Sequence, residues 1–140
     1  SAREGISGPE ELPDLLTQSD IVVIAVPLDD STLRLVDADF LAQMADGSLL
    51  VNVSRGAVAD TEAMLSEVDR LRFALDVTDP EPLPTGHALW SAPNVLITPH
   101  VGGDTTAFLP RARRLVREQL VRWADGAPLR AIVASSPALE

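Results

Sequence analysis

The sequence predicts an α/β fold built on a parallel sheet, and three observations carry that expectation. Short runs rich in β-branched residues alternate with segments of helical spacing along the chain. The run "IVVIAV" at residues 21 to 26 has no polar alternation, as expected of a strand covered on both faces. The run "NVLIT" at 94 to 98 stops at Pro99, which lacks a backbone donor, and leads into His100 and two glycines. That pattern places a histidine just beyond the carboxyl end of a strand, where open parallel sheets put their chemistry.

Each element has a local signal. After Ser7-Gly8, Pro9 suits a first helical turn and Glu10 and Glu11 suit its positive end. Leu12, Leu15 and Leu16 recur at helical spacing, which predicts a helix ending near Ser19. Pro27 closes the strand at 21 to 26. Asp37 can cap a second helix with Phe40, Leu41 and Met44 on one side, ending near Asp46-Gly47. "SLLVNV" at 48 to 53 follows as a strand, Ser54-Arg55-Gly56 as a turn, and Asp60 or Thr61 can start a third helix through Met64, Leu65 and Val68. "LRFALDV" at 71 to 77 is the next strand, followed by the proline-rich loop "TDPEPLPTG" at 78 to 86. After the strand at 94 to 98, a long helix is predicted from about Asp104 to Trp123, disturbed by Pro110 and ended by Gly126 and Pro128. The tail at 134 to 140 reads as loose.

With 140 residues and a hydrophobic fraction of 46%, the chain suits one globular domain or part of one. No apolar run is long enough to cross a bilayer and no basic segment precedes an apolar one, so no membrane association is expected. The absence of cysteine removes disulfides and thiolate chemistry and makes a cytoplasmic setting the expectation. A formal charge of −10 opposes a nucleic-acid partner. All eleven basic residues are arginine and there is no tyrosine, which removes Schiff-base lysines, phosphate-loop lysines and tyrosine proton donors. No Cys/His cluster has metal-ligand spacing, so no metal is predicted.

Three charged residues fall in loops that leave successive strands: Arg55, Glu81 and His100. In a parallel sheet those loops open on one edge, so the three can converge. Together they suit the interconversion of a 2-oxo acid and a 2-hydroxy acid. A guanidinium offers a planar fork for the substrate carboxylate and carbonyl, an imidazole moves the proton, and a carboxylate beside it favours its charged form and fixes its tautomer. The remaining candidates read as structural: His87 as a surface or packing residue, Trp90 and Trp123 as packing residues. The arginines at 111, 113, 114, 117 and 122 read as a solvated helix face paired with Glu118 and Asp125.

The ordered motifs "VPLDDSTLRLVDADFLAQM", "LLVNVSRGAVAD", "ALDVTDPEPLPTGHALW" and "NVLITPHVGG" resemble the D-isomer-specific 2-hydroxyacid dehydrogenase family, over about Leu12 to Val133. The resemblance implies a nicotinamide cofactor, NAD or NADP, and assigns Arg55, Glu81 and His100 to the catalytic trio. It further implies that Pro27, the Val53-Ser54 backbone, Asp76, Gly102 and Gly103 face the cofactor, with Asp76 near the nicotinamide amide.

The pattern also departs from that family. No G-x-G-x-x-G occurs anywhere, so the strand and turn that normally hold the pyrophosphate are missing. The expectation is therefore a partial Rossmann-type sheet over residues 1 to 125, with 126 to 140 returning towards a substrate domain. The chain then reads as a fragment or proteolytic product of an oxidoreductase, inactive alone. Asp29-Asp30 replace the threonine and proline usual in the family, and Arg3 would lie where it could meet a 2′-phosphate. With the missing strand normally beside "IVVIAV", a bare edge is expected, and with it a homodimer or residues 1 to 8 displaced over the gap. The alternative from another class is a non-enzymatic dinucleotide-sensing or dimerisation module of the same fold.

Overall fold

The structure is a computed structural model that describes residues 7 to 130; the expectations for Arg3, for residues 1 to 6 and for the tail lie outside the described residues. The chain divides into two compact units, Ser1–Gly102 and Gly103–Glu140.

The first unit holds four parallel strands in the order β1 (Ile21–Ile24), β2 (Leu49–Asn52), β3 (Arg72–Leu75) and β4 (Val95–Ile97). Val22, Leu50, Phe73 and Val95 lie in one row across the sheet, and Ile24, Asn52, Leu75 and Ile97 in another on the same face. Helices α1 (Leu12–Gln18), α2 (Ala38–Gln43) and α3 (Thr61–Ser66) supply Leu16, Phe40, Leu41 and Met64 to the core on that face. The caps read from the sequence form: Asp37 accepts from Phe40 N at 2.9 Å, and Asp60 accepts from Glu62 N and Ala63 N at 3.0 and 3.1 Å. Half-buried Arg70 donates to the carbonyls of Leu41 and Met44 at 2.7 and 2.6 Å, adding to the Met44 N–H that caps the end of α2 on Leu41 O.

The expectation that β1 is covered on both faces is corrected. Ile21, Val23 and Leu96 point to the other face and are 59%, 57% and 62% exposed. The strands advance one way across the sheet, and right-handed crossovers in one direction put every connecting helix on the same side. β1 is an edge strand paired only with β2 among the described residues.

In the second unit, α4 spans Phe108–Ala124 rather than starting near Asp104. Pro110 falls in its first turn, where backbone N–H groups have no intrahelical acceptor, so the helix is not disturbed there. Arg114 meets Glu118 one turn on at 3.8 Å. Trp123, read from the sequence as a packing residue, is exposed. No helix among the described residues is long and apolar enough to cross a membrane.

Candidate active site

The carboxyl ends of all four strands form one rim, and its loops carry most of the residues singled out in the sequence. Pro27 lies in the loop after β1 and is exposed. That loop is tied by Asp29, whose Oδ1 accepts from Ser31 N and Ser31 Oγ at 2.8 and 2.6 Å, while Thr32 Oγ1 donates to Pro27 O at 2.6 Å. The Ser31 hydroxyl and amide hold the Asp29 carboxyl below its ordinary range. An aspartate here therefore closes a side-chain turn.

The turn after β2 is organised by Asn52, a residue the sequence reading passed over. Its buried Oδ1 accepts from Ser54 N and Ser54 Oγ, each at 3.0 Å, and its Nδ2 donates to Arg55 O at 3.1 Å. Ser54 is thus buried with its hydroxyl engaged, whereas Val53 and Arg55 are exposed. Gly56 follows against the backbone of Thr78, so closely that a Cβ would overlap the Thr78 carbonyl. Thr61 Oγ1 donates to Asp79 O at 2.6 Å nearby. These contacts seat the Arg55 turn against the segment that leads to Glu81.

Glu81 and His100 meet directly, with Oε1 and Nδ1 2.7 Å apart. An ionised carboxylate only accepts, so this contact assigns the proton to Nδ1 and leaves Nε2 as the free ring nitrogen. His100 has a φ of +54°, a left-handed conformation uncommon outside glycine, and its N–H donates to Thr98 O at 3.0 Å. Asp76 anchors the same turn. Its Oδ1 accepts from Thr98 Oγ1 at 2.6 Å and Val101 N at 2.9 Å, and its Oδ2 from Gly102 N at 2.7 Å. The Thr98 hydroxyl first, then the Gly102 and Val101 amides and the nearby His100, hold the Asp76 carboxyl below its ordinary value. Gly102 has a local reason to be glycine, since a Cβ would stand 2.8 Å from Asp76 Oδ2. Gly103 opens the second unit, and a Cβ there would meet nothing within 4 Å.

Glu81, His100 and Asp76 line one cavity of about 330 Å³. Arg55 opens on the same rim but makes no hydrogen bond or ion pair with Glu81 or His100; its Nη1 donates to Ser54 O at 2.6 Å. Trp90, expected to pack, instead lines the cavity and is 53% exposed. His87 is half-buried and structural as expected, its Nδ1 accepting from Leu89 N at 3.2 Å.

Comparison with known proteins identifies the family. Residues 2–102 match the family described as D-isomer specific 2-hydroxyacid dehydrogenase, NAD binding domain. A human glyoxylate reductase/hydroxypyruvate reductase is 34% identical over 120 residues, 84% of this chain and 37% of that protein. A glyoxylate reductase of Aeropyrum pernix is 37% identical over 118 residues, 82% of this chain and 35% of that protein. The chain therefore spans about a third of the length of these curated relatives. A D-isomer specific 2-hydroxyacid dehydrogenase from Xanthobacter autotrophicus Py2, solved in complex with NADPH and MES, superposes with a TM-score of 0.83. It is 36% identical, covering 96% of this chain and 57% of that one. The parallel sheet, the rim that carries the Glu81–His100 pair and a family match over most of the first unit have one reading: this chain belongs to the D-isomer specific 2-hydroxyacid dehydrogenases, with residues 2–102 matching their NAD-binding domain.

Proposed function

We propose that Arg55, Glu81 and His100 form the catalytic trio of a dehydrogenase that interconverts a small 2-oxo acid and the corresponding D-2-hydroxy acid. The observation that carries this reading is the 2.7 Å contact between Glu81 and His100 at the strand ends. Glu81 fixes the ring so that Nε2 is the nitrogen that exchanges a proton with the substrate oxygen. In reduction the carbonyl carbon takes the hydride and its oxygen takes the Nε2 proton of the imidazolium, leaving the neutral ring protonated at Nδ1; oxidation reverses both transfers. Arg55 binds the carboxylate and polarises the adjacent carbonyl with its planar fork.

The rim fits the nicotinamide end of NAD or NADP, which supplies or accepts the hydride when bound. Pro27 and Val53 expose apolar surface there, and Gly102 carries no side chain. Asp76 takes three donors that hold the His100 turn in place beside the ring, and Oδ2, with one donor, keeps an acceptor position for the nicotinamide amide. No G-x-G-x-x-G occurs in the 140 residues, so nothing here matches the usual pyrophosphate holder. We accordingly assign residues 1 to 125 to a partial dinucleotide-binding domain and 126 to 140 to a return segment, and expect little or no turnover from these residues alone. Among the described residues β1 pairs only with β2, and pairing through its other edge is the basis on which we infer a homodimer.

The test is His100→Ala in the natural polypeptide that contains these residues. We expect a loss of 2-oxo acid reduction of at least about 100-fold, with folding intact. Full activity in that variant would overturn the assignment. Turnover of glyoxylate or hydroxypyruvate by the purified 140 residues would overturn the expected inactivity.

A further inference from the structure

We propose that Trp90 is a specificity-determining residue of this site and that it selects 2-oxo acids with an apolar side chain; the inference rests on the reading of Glu81 and His100 given above. Trp90 closes the short helical turn Ala88–Trp90 that follows the proline-rich loop. Its Nε1–H donates to Pro84 O at 3.1 Å, so the indole N–H is engaged while half the residue stays exposed. The ring shares one cavity with Glu81 and His100.

The chemistry of that cavity decides what it accepts. Leu83, Pro82, Ile97 and Pro99 line it beside the indole. Its other polar side chains are engaged: Thr78 Oγ1 donates to Pro80 O at 2.9 Å, and Thr98 Oγ1 donates to Asp76 Oδ1 at 2.6 Å. Both oxygens of Asp76 themselves accept from amides of the His100 turn. Past the Glu81–His100 pair, the cavity therefore offers apolar contact and no unengaged side-chain donor. A substrate hydroxyl or carboxylate placed there loses hydration and finds no side-chain donor, whereas an aliphatic or aryl group gains the indole and its apolar neighbours. The preferred class is thus a 2-oxo acid bearing a branched aliphatic or aromatic group, in contrast to the hydroxypyruvate in the name of a relative.

The experiment measures kcat/KM for 4-methyl-2-oxopentanoate and for hydroxypyruvate in the natural polypeptide containing these residues, supplied with NADH and with NADPH. We expect a preference for 4-methyl-2-oxopentanoate of about tenfold or more, cut about tenfold by Trp90→Ala and largely kept by Trp90→Phe. Trp90→Leu replaces the alanine variant if that one does not fold. As a second readout, 4-methyl-2-oxopentanoate and not hydroxypyruvate at equal concentration should change the tryptophan emission of the natural polypeptide, and Trp90→Phe should remove that change. Reduction of both acids with a preference for hydroxypyruvate, or with a ratio that Trp90→Ala leaves unchanged, overturns the role of Trp90 and leaves the trio standing. If neither of these acids but another 2-oxo acid is reduced, the trio stands and the role of Trp90 is overturned; if no 2-oxo acid is reduced, the trio fails, and the Trp90-dependent emission then decides the pocket: a selective response supports it, and none overturns it.

Discussion

The carboxylate of Asp76 accepts the backbone N–H of Gly102 at 2.7 Å, two residues past His100. With Thr98 and Val101 donating to the other oxygen, the segment carrying the histidine hangs on one buried acid. The left-handed conformation of His100 is sustained by those contacts. Asp76→Asn keeps the shape and replaces one acceptor by an NH2 group that confronts a backbone donor. We expect kcat/KM in the natural polypeptide to fall about 100-fold, the scale of a misplaced reacting group, with a lower Tm. Unchanged kinetics would show that the turn holds His100 without the carboxylate.

Acid sensitivity follows from the same contacts. The Thr98 hydroxyl and the two amides hold the Asp76 carboxyl below 3.8 in the folded state, and unfolding returns it to the ordinary value. A depressed folded pKa gives stability that is present above the unfolded value and lost as pH falls through the folded one. Melting temperatures should therefore drop as pH is lowered below about 4, and Asp76→Asn should flatten that part of the profile. Parallel profiles for the two proteins would remove Asp76 as the source.

Gly56 joins the Arg55 turn to the Glu81 loop by direct backbone contact with Thr78. Any side chain there must push two chain segments apart, because the atoms it meets are a carbonyl and not the flexible end of a side chain. Gly56→Ala should destabilise the first unit by about 1–3 kcal/mol in denaturant titration. Gly103→Ala is the control for stability, since a Cβ at that position meets nothing within 4 Å. Equal midpoints for the two variants would mean the loops yield without cost.

Much of this site was legible in the sequence because single residues with local rules carry it. Asp37 stands three residues before Phe40 and caps α2 without help from elsewhere. Pro99 ends the apolar run and leaves His100 at the strand's end, whatever covers the sheet. Asn52 was missed because an amide inside "LLVNV" reads as one polar residue in a strand, and its three hydrogen bonds exist only once the next turn is closed. Asp29 was opaque for a similar reason, since its partners Ser31 and Thr32 are ordinary loop residues until the chain folds back. The face of β1 that lies open depends on crossover handedness, which no pattern of apolar residues encodes. Trp90 was read as a packing residue because composition does not reveal that its N–H is engaged while its ring faces a cavity.

Arg55 provides the sharpest test of substrate orientation. It stands exposed at the end of β2, on a turn fixed by Asn52 and Gly56, and its Nη1 already donates to Ser54 O. That contact aims the guanidinium plane and leaves other N–H groups for a ligand. Arg55→Lys retains the charge but replaces a rigid two-pronged donor with a point charge on a flexible stem. If the fork grips both carboxylate and carbonyl, the lysine variant should lose about 10- to 1000-fold in kcat/KM, with kcat falling as well as KM rising. A rise in KM alone would assign Arg55 to carboxylate binding and take carbonyl polarisation away from it. A variant indistinguishable from wild type would remove Arg55 from the trio while leaving Glu81 and His100 in place.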